Sequence, residues 1–247
     1  MFSTAVRRAT SVRSIATARR HLSTLGTLYT APGTPNPDTV HLYLHEAGAN
    51  DLVTIQKVNI GKGANRDEDY LKMNPMGEVP ALALADNSMT ITESVNICRY
   101  IDSMRTDGAG SPLTGEDAAQ RAESEMWLAR VEGKYLVPMY WTVRCGVLAK
   151  FFEKRTPGYI HPEIAAPMGI AAKTGLSWIN AQLASDGRSY LCGDRFTIAD
   201  IKLYTSYKFL SKTDKAQAAS AEESPAFLEY IERISAKESA KLTAARK

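Results

Sequence analysis

The residues with the clearest chemical use lie between positions 74 and 94. Residues 74–82 read Asn-Pro-Met-Gly-Glu-Val-Pro-Ala-Leu, an apolar strand entered through Val79-Pro80. Proline has no N–H for a sheet ladder, so Pro80 belongs at the first residue of that strand. A cis bond there would turn the Val79 N–H and C=O outward, free to pair with an extended peptide. Further on, Thr92-Glu93-Ser94 opens a helix. That sets a carboxylate, a hydroxyl and unpaired backbone N–H groups at the positive end of a helix dipole, where a carboxylate ligand would be held. A strand edge that pairs with a peptide main chain, beside such a helix end, fits a small γ-glutamyl peptide.

The elements that must position these residues follow from the local pattern. Residues 25–29 read as a short strand, followed by the turn-rich Ala31-Pro-Gly-Thr-Pro-Asn-Pro37. Asp38 and Thr39 then open a helix through Val40, Leu44 and Ala47, closed by Gly48. Residues 52–58 form a second strand with imperfect alternation of Val53, Ile55 and Lys57, and 67–73 a short helix after the polar loop 61–66. Two strands, 79–84 and 89–91, meet at the hairpin turn Asp86-Asn87-Ser88, and a helix over 93–104 aligns Ile97, Ile101 and Met104. The order is βαβαββα over residues 25–104. A polar linker, 105–117, precedes an all-helical domain, 118–247, where Met126, Trp127, Val131, Tyr135 and Leu136 recur at helical spacing.

Composition excludes several classes. The chain has 247 residues, 44% apolar and 23% charged, enough for a substantial core. Its long apolar stretches, such as residues 135–143, fall far short of the ~20 residues of a membrane-spanning helix, so no span is expected. Five of the 30 basic residues (Arg7, Arg8, Arg13, Arg19 and Arg20) lie in the first 24, where there is no acid; the other 25 face 27 acidic residues. The body is therefore nearly neutral, and nucleic acid is not an expected partner. Residues 1–24 read as a mitochondrial presequence, placing the protein in the matrix, with a disordered basic arm as the alternative. Three dispersed cysteines suit a reducing compartment. Cys98, Cys145 and Cys192 read as small buried apolar residues. His41 and His45 are spaced i, i+4, but without a third ligand they read as surface histidines, and no metal site is expected.

In this order and spacing, Val79-Pro80 and Glu93-Ser94 resemble the glutathione transferase family over residues 25–242. A third element supports the likeness: Thr197 and Asp200 within residues 191–201 are spaced as a capping box, which in the family sets a core helix. Residues 28–37 with 61–66 resemble a fungal and bacterial subgroup that lacks the usual catalytic side chain. The resemblance implies a thioredoxin-like α/β N-terminal domain (βαβαββα), an all-α C-terminal helical bundle, and glutathione as co-substrate with no permanently bound cofactor. It also implies a small hydrophobic electrophile as second substrate, and a homodimer. Val79 would pair with the cysteinyl main chain, Glu93 would meet the α-amino group, and Ser94 with its amide the α-carboxylate. Asn65 and Arg66, or Lys62, fall where relatives contact the glycine carboxylate. Glu78 stands where many relatives carry Gln, and is expected to turn to solvent or pair with Arg66.

Conjugation needs the thiolate, because a thiol of pKa near 8.5 is a poor nucleophile at neutral pH. Where relatives place Tyr, Ser or Cys, residues 33–37 offer only Thr34 and Asn36 as side-chain donors, aided by the helix N-terminus. Tyr140, Arg144 and Cys145 are the candidates from the second domain, Arg144 because a cation near sulfur lowers its pKa. Packing, or a wall for a hydrophobic substrate, is the competing role of Tyr140 and Trp141. The missing Tyr, Ser or Cys leaves a second expectation: a non-catalytic interaction subunit of a mitochondrial assembly.

Overall fold

Two prolines set where the first helix begins. In the computed structural model, which describes residues 24–105, 112–155 and 158–246, strand β1 (Gly26–Thr30) leads into helix α1 (Pro35–Glu46). The helix was expected from Asp38 and starts three residues earlier. The first N–H groups of a helix have no partner within it, so Pro35 and Pro37 forfeit no bond there. Asn36 is thereby drawn into the first turn of α1. Residues 1–23 of the expected presequence, and 106–111 of the expected linker, lie outside the described residues.

The first domain continues through β2 (Val53–Lys57), α2 (Glu68–Met73), β3 (Ala81–Leu84), β4 (Thr90–Ile91) and α3 (Ser94–Met104). Its sheet runs β2-β1-β3-β4, parallel between β1 and β2 and antiparallel elsewhere. Leu28 stands opposite Leu82 in register, both fully buried, at the centre of the domain's core. Strand β2 is an edge with one neighbour, and beyond Val53 its side chains stay in solvent; Ile55, read as part of the alternation, is exposed. Met104, read with Ile97 and Ile101 as one face, is also exposed, because it ends α3 beyond the core.

The second domain comprises α4 (Ala118–Val131), a π-helical segment Glu132–Leu136, α5 (Val137–Cys145), α6 (Ala149–Glu153), α7 (Ala165–Ser185), α8 (Ile198–Thr213), α9 (Pro225–Ser235) and α10 (Glu238–Ala245). Trp127 takes the inward face of α4, which leaves the adjacent Met126 in solvent. Helix α8 forms the centre, buried at every position from Ile198 to Tyr207. Its first turn carries the capping box read from the sequence, with both reciprocal bonds present. The fold is thus a thioredoxin-like domain with a four-stranded mixed sheet, joined to an all-helical domain. Among the described residues, no helix is long and apolar enough to cross a membrane.

The domains meet along α1. Thr39 and Thr205 share a 2.8 Å hydroxyl contact between α1 and α8, and Lys237 pairs with Glu46 at 2.7 Å. The C-terminal segment, for all its charge, is not a solvated end: it docks α10 on α1 and buries Ser239, Ala240 and Thr243. His41 is likewise no surface residue. It is buried, with Nε2 3.0 Å from Thr30 Oγ1, and burial, with Arg246 and His45 nearby, lowers its pKa from 6.5 to about 3. Between pH 3 and 6.5 the unfolded chain therefore binds the extra proton, so His41 contributes stability above pH 6.5 that is lost as pH falls. The slope approaches ~1.4 kcal/mol per pH unit. Urea titrations at pH 5.0–6.5 are expected to show stability rising with pH more steeply in the wild type than in His41→Gln; equal slopes would remove His41 as a contributor.

Candidate functional site

The loop before β3 is built to be rigid and to leave Val79 open. Tyr70 Oη and Asn74 Nδ2 both donate to the Glu78 carbonyl, at 2.7 and 2.8 Å. Asn65 Nδ2 donates to the Gly77 carbonyl at 2.6 Å, and Arg66 Nη1 to that of Met76 at 3.1 Å. Gly77 has φ +60°, and a Cβ there would come within 2.9 Å of the Asn65 carbonyl oxygen, so this approach requires glycine. Three consecutive carbonyls are thus tethered just before Val79. The Val79-Pro80 bond is cis, and among the described residues nothing pairs with the Val79 main chain.

Across from this loop, Glu93 caps α3 at φ +63°, ψ 117°, a strained conformation for a residue with a side chain. Its neighbour Ser94, the first residue of α3, is buried. Val79, Glu93 and Ser94 together line a polar notch of about 10 Å³, along with Thr92 and Asn36. The notch shares Asn36, Met76, Glu78 and Val79 with a larger cleft of about 780 Å³ between the domains. Thr34, Asn65, Arg66, Tyr140 and Arg144 border that cleft. Its volume is that of a site for a small organic molecule. Of the residues picked out from the sequence, only Asn36, Glu78 and Val79 border both spaces.

The individual side chains divide by what they have left to offer. Thr34 Oγ1 donates its hydrogen to the Ala31 carbonyl at 2.7 Å and so presents lone pairs, not a proton. Tyr140 Oη lies 3.0 Å from Ser206 Oγ, joining α5 to α8. The Arg144 guanidinium stacks 4.8 Å over Phe152 on the cleft wall. Cys145 is buried and is not part of the lining. Asn65 has its amide N–H on Gly77, while its buried Oδ1 has no partner among the described residues. Lys62 is exposed and outside both linings. Glu78 is exposed; among the described residues it makes no ion pair with Arg66, whose guanidinium is directed to Met76.

Two further residues escaped the sequence reading. Arg155 borders the cleft, donates to the Ile60 carbonyl at 3.1 Å and stacks 4.1 Å over Phe151, tying the second domain to the 60–66 loop. Burial, with Arg66 close by, lowers its pKa. Lys202, on α8, is buried and donates to Asn36 Oδ1 at 2.7 Å. Its only local signal was a lysine between Ile201 and Leu203 on a helix otherwise apolar around it.

Comparison with known proteins follows the same division. Family models described as glutathione S-transferase N-terminal domain and glutathione S-transferase C-terminal domain match residues 25–103 and 162–233. The chain is 32% identical to glutathione S-transferase 3 of Zea mays, over 70% of this chain and 72% of that protein. It is 28% identical to glutathione S-transferase 2 of Saccharomyces cerevisiae, over 74% of this chain and 75% of the relative. Among solved structures, Gtt2 from Saccharomyces cerevisiae superposes with a TM-score of 0.73 at 26% identity, covering 88% of this chain and 99% of that one.

Proposed function

Because the chain belongs to the glutathione S-transferase family, we propose that the notch and cleft hold glutathione and a second, electrophilic substrate side by side. The protein is a glutathione transferase: it converts the glutathione thiol to a thiolate, whose electron pair attacks the electrophilic carbon. A C–S bond forms, the leaving group departs with its electron pair, and the thiol proton passes to solvent. Glutathione is a co-substrate here, and no permanently bound cofactor is part of the reaction. The single observation that carries the reading is the unpaired Val79 main chain facing a strained Glu93 and a buried Ser94 across one notch. In this reading Val79 pairs with the cysteinyl unit, Glu93 takes the α-amino group, and the Ser94 hydroxyl and amide take the α-carboxylate. Arg66 serves the glycine carboxylate, with Asn65 bracing the loop beneath it.

The electrophile occupies the wall formed by α5 and α6, where Phe151, Phe152 and Leu148 make the lining mainly apolar. Exposed apolar side chains on both domains, Met89 and Met104 on the first and Met126 on the second, support a homodimer in which each domain packs on the other kind. The Arg-rich, acid-free residues 1–24 support import into the mitochondrial matrix. The relatives matched over 67–74% of this chain are named as transferases, whereas those named elongation factor 1-gamma match over 56–66% of it and are covered to only 29–38% of their own length, which does not favour a non-catalytic assembly subunit.

Calorimetric titration with glutathione, with Ser94→Ala beside the wild type, tests the site. Losing a hydrogen bond to a carboxylate is worth ~1.5–3 kcal/mol, so affinity should fall about tenfold or more while the melting temperature stays put. A wild type that takes up no glutathione at millimolar concentration, or a variant that binds as well as the wild type, would defeat this placement.

A further inference from the structure

A buried lysine is rare unless it faces a carboxylate, because an ammonium loses its hydration on burial. Lys202 is buried on α8, yet its direct partner is the neutral amide oxygen of Asn36 at 2.7 Å. Among the described residues no carboxylate lies within ion-pair distance of it. The titratable groups that face it from the packed elements are the Cys98 thiol of α3, held protonated by burial, and the Glu132 carboxyl after α4. From α1, Asn36 is its hydrogen-bond partner. An apolar residue of similar length would pack there without that cost. The charge therefore has a use at Asn36.

An ammonium only donates, so the oxygen of the Asn36 amide must face Lys202 and its Nδ2 must face away. Asn36 borders both the notch and the cleft, and so stands where the peptide site meets the electrophile site. A charge-assisted bond to the oxygen also polarises the amide and strengthens its N–H donors.

Resting on the placement of glutathione given above, we propose that Lys202 is the positioning residue for thiolate formation: it locks and polarises the Asn36 amide so that Nδ2–H meets the glutathione sulfur. Asn36 touches the anion, and Lys202 acts through it from the second domain. The thiol proton leaves to solvent, the electron pair stays on sulfur, and no other reactant is required.

The test measures thiolate formation separately from binding, by ultraviolet titration of glutathione bound to the wild type, Lys202→Met, Asn36→Ala and the double variant. Lys202→Met is expected to raise the bound thiol pKa by about one unit, leaving about tenfold less thiolate below it. The pH profile of kcat with an activated aryl halide should move equally, while affinity for S-methylglutathione, which has no thiol to ionise, stays within about twofold. Lys202→Arg, which retains a charged donor, should recover part of the shift, and the double variant should titrate like Asn36→Ala alone. Lys202→Gln serves if methionine is not accommodated. A Lys202→Met protein that binds glutathione and titrates as the wild type overturns the proposal, as do additive shifts in the double variant. A wild type that binds no glutathione instead overturns the placement on which it rests.

Discussion

Gly175→Ala is expected to destabilise the protein by about 3 kcal/mol or more, although alanine is the better helix former by ~1 kcal/mol. The clash decides the sign. A Cβ at Gly175, in the middle of α7, would lie 1.9 Å from the Lys134 carbonyl oxygen, 2.6 Å from its carbon and 3.2 Å from the Tyr135 Cα. All three are backbone atoms of the π-helical segment between α4 and α5, so no side-chain rotation relieves the overlap. Helix α7 would have to retreat by more than an ångström from a face on which Ala172, Leu176 and Ile179 are buried, and close-packed interiors resist that. In a chain of this size the melting temperature should drop by roughly 6–12 °C. Thr174→Ala, on the exposed side of the same turn, is the control and should stay near the wild type. The effect should reach the site as well, since α5 carries Tyr140 and Arg144 on the cleft wall. A Gly175→Ala protein that melts with the control would show that the helices part more easily than this geometry implies.

The second large effect is expected at Asp200. Its carboxylate is fully buried and accepts four hydrogen bonds: from the Leu191 N–H and the Tyr230 hydroxyl on Oδ1, and from the Thr197 N–H and hydroxyl on Oδ2. Burial pushes its pKa up to about 6 even though every one of those bonds pulls it down. Asp200→Ala strands two buried backbone donors and the buried Tyr230 hydroxyl, each costing ~1–3 kcal/mol, while relief from burying the charge returns part of the sum. A net loss of about 3–5 kcal/mol follows. Asp200→Asn should rescue little, because whichever way its amide turns, its NH₂ faces a backbone N–H. Urea unfolding measures both variants at neutral pH. A loss below about 1 kcal/mol for Asp200→Ala would mean water or a shifted backbone replaces the carboxylate.

Much of the candidate site is legible in the amino-acid sequence. Val79, Glu93 and Ser94 were picked out as a unit from proline placement and helix-start chemistry, and they do line one notch. Both signals are local, written within about 15 residues by the missing N–H of proline and the unpaired amides of a first turn. The capping box is legible for the same reason, since both partners lie within one turn. Where the reading went astray, the cause was distance along the chain. His41 looked like a surface residue because its i, i+4 relation to His45 says nothing about which elements cover α1. In the same way the charges of residues 237–246 are visible in sequence, while the α1 face that receives α10 is not.

The order of elements in the first domain, the all-helical character of the second and the grouping of Val79, Glu93 and Ser94 can be read along the chain, and the family shows there as a resemblance. The elements and that grouping depend on periodicity and on the preferences of single residues for caps, turns and strand ends, which act over a few positions; the resemblance rests on the order and spacing of Val79-Pro80 and Glu93-Ser94. It takes the packed fold to bring Lys202 to Asn36 across 166 positions, to set Arg155 against the 60–66 loop, and to place the Lys134 carbonyl against Gly175. These contacts depend on how α8 docks on α1 and how α7 crosses the π-helical segment. Such packing is settled by shape complementarity summed over whole helix faces, and no short stretch of residues contains it.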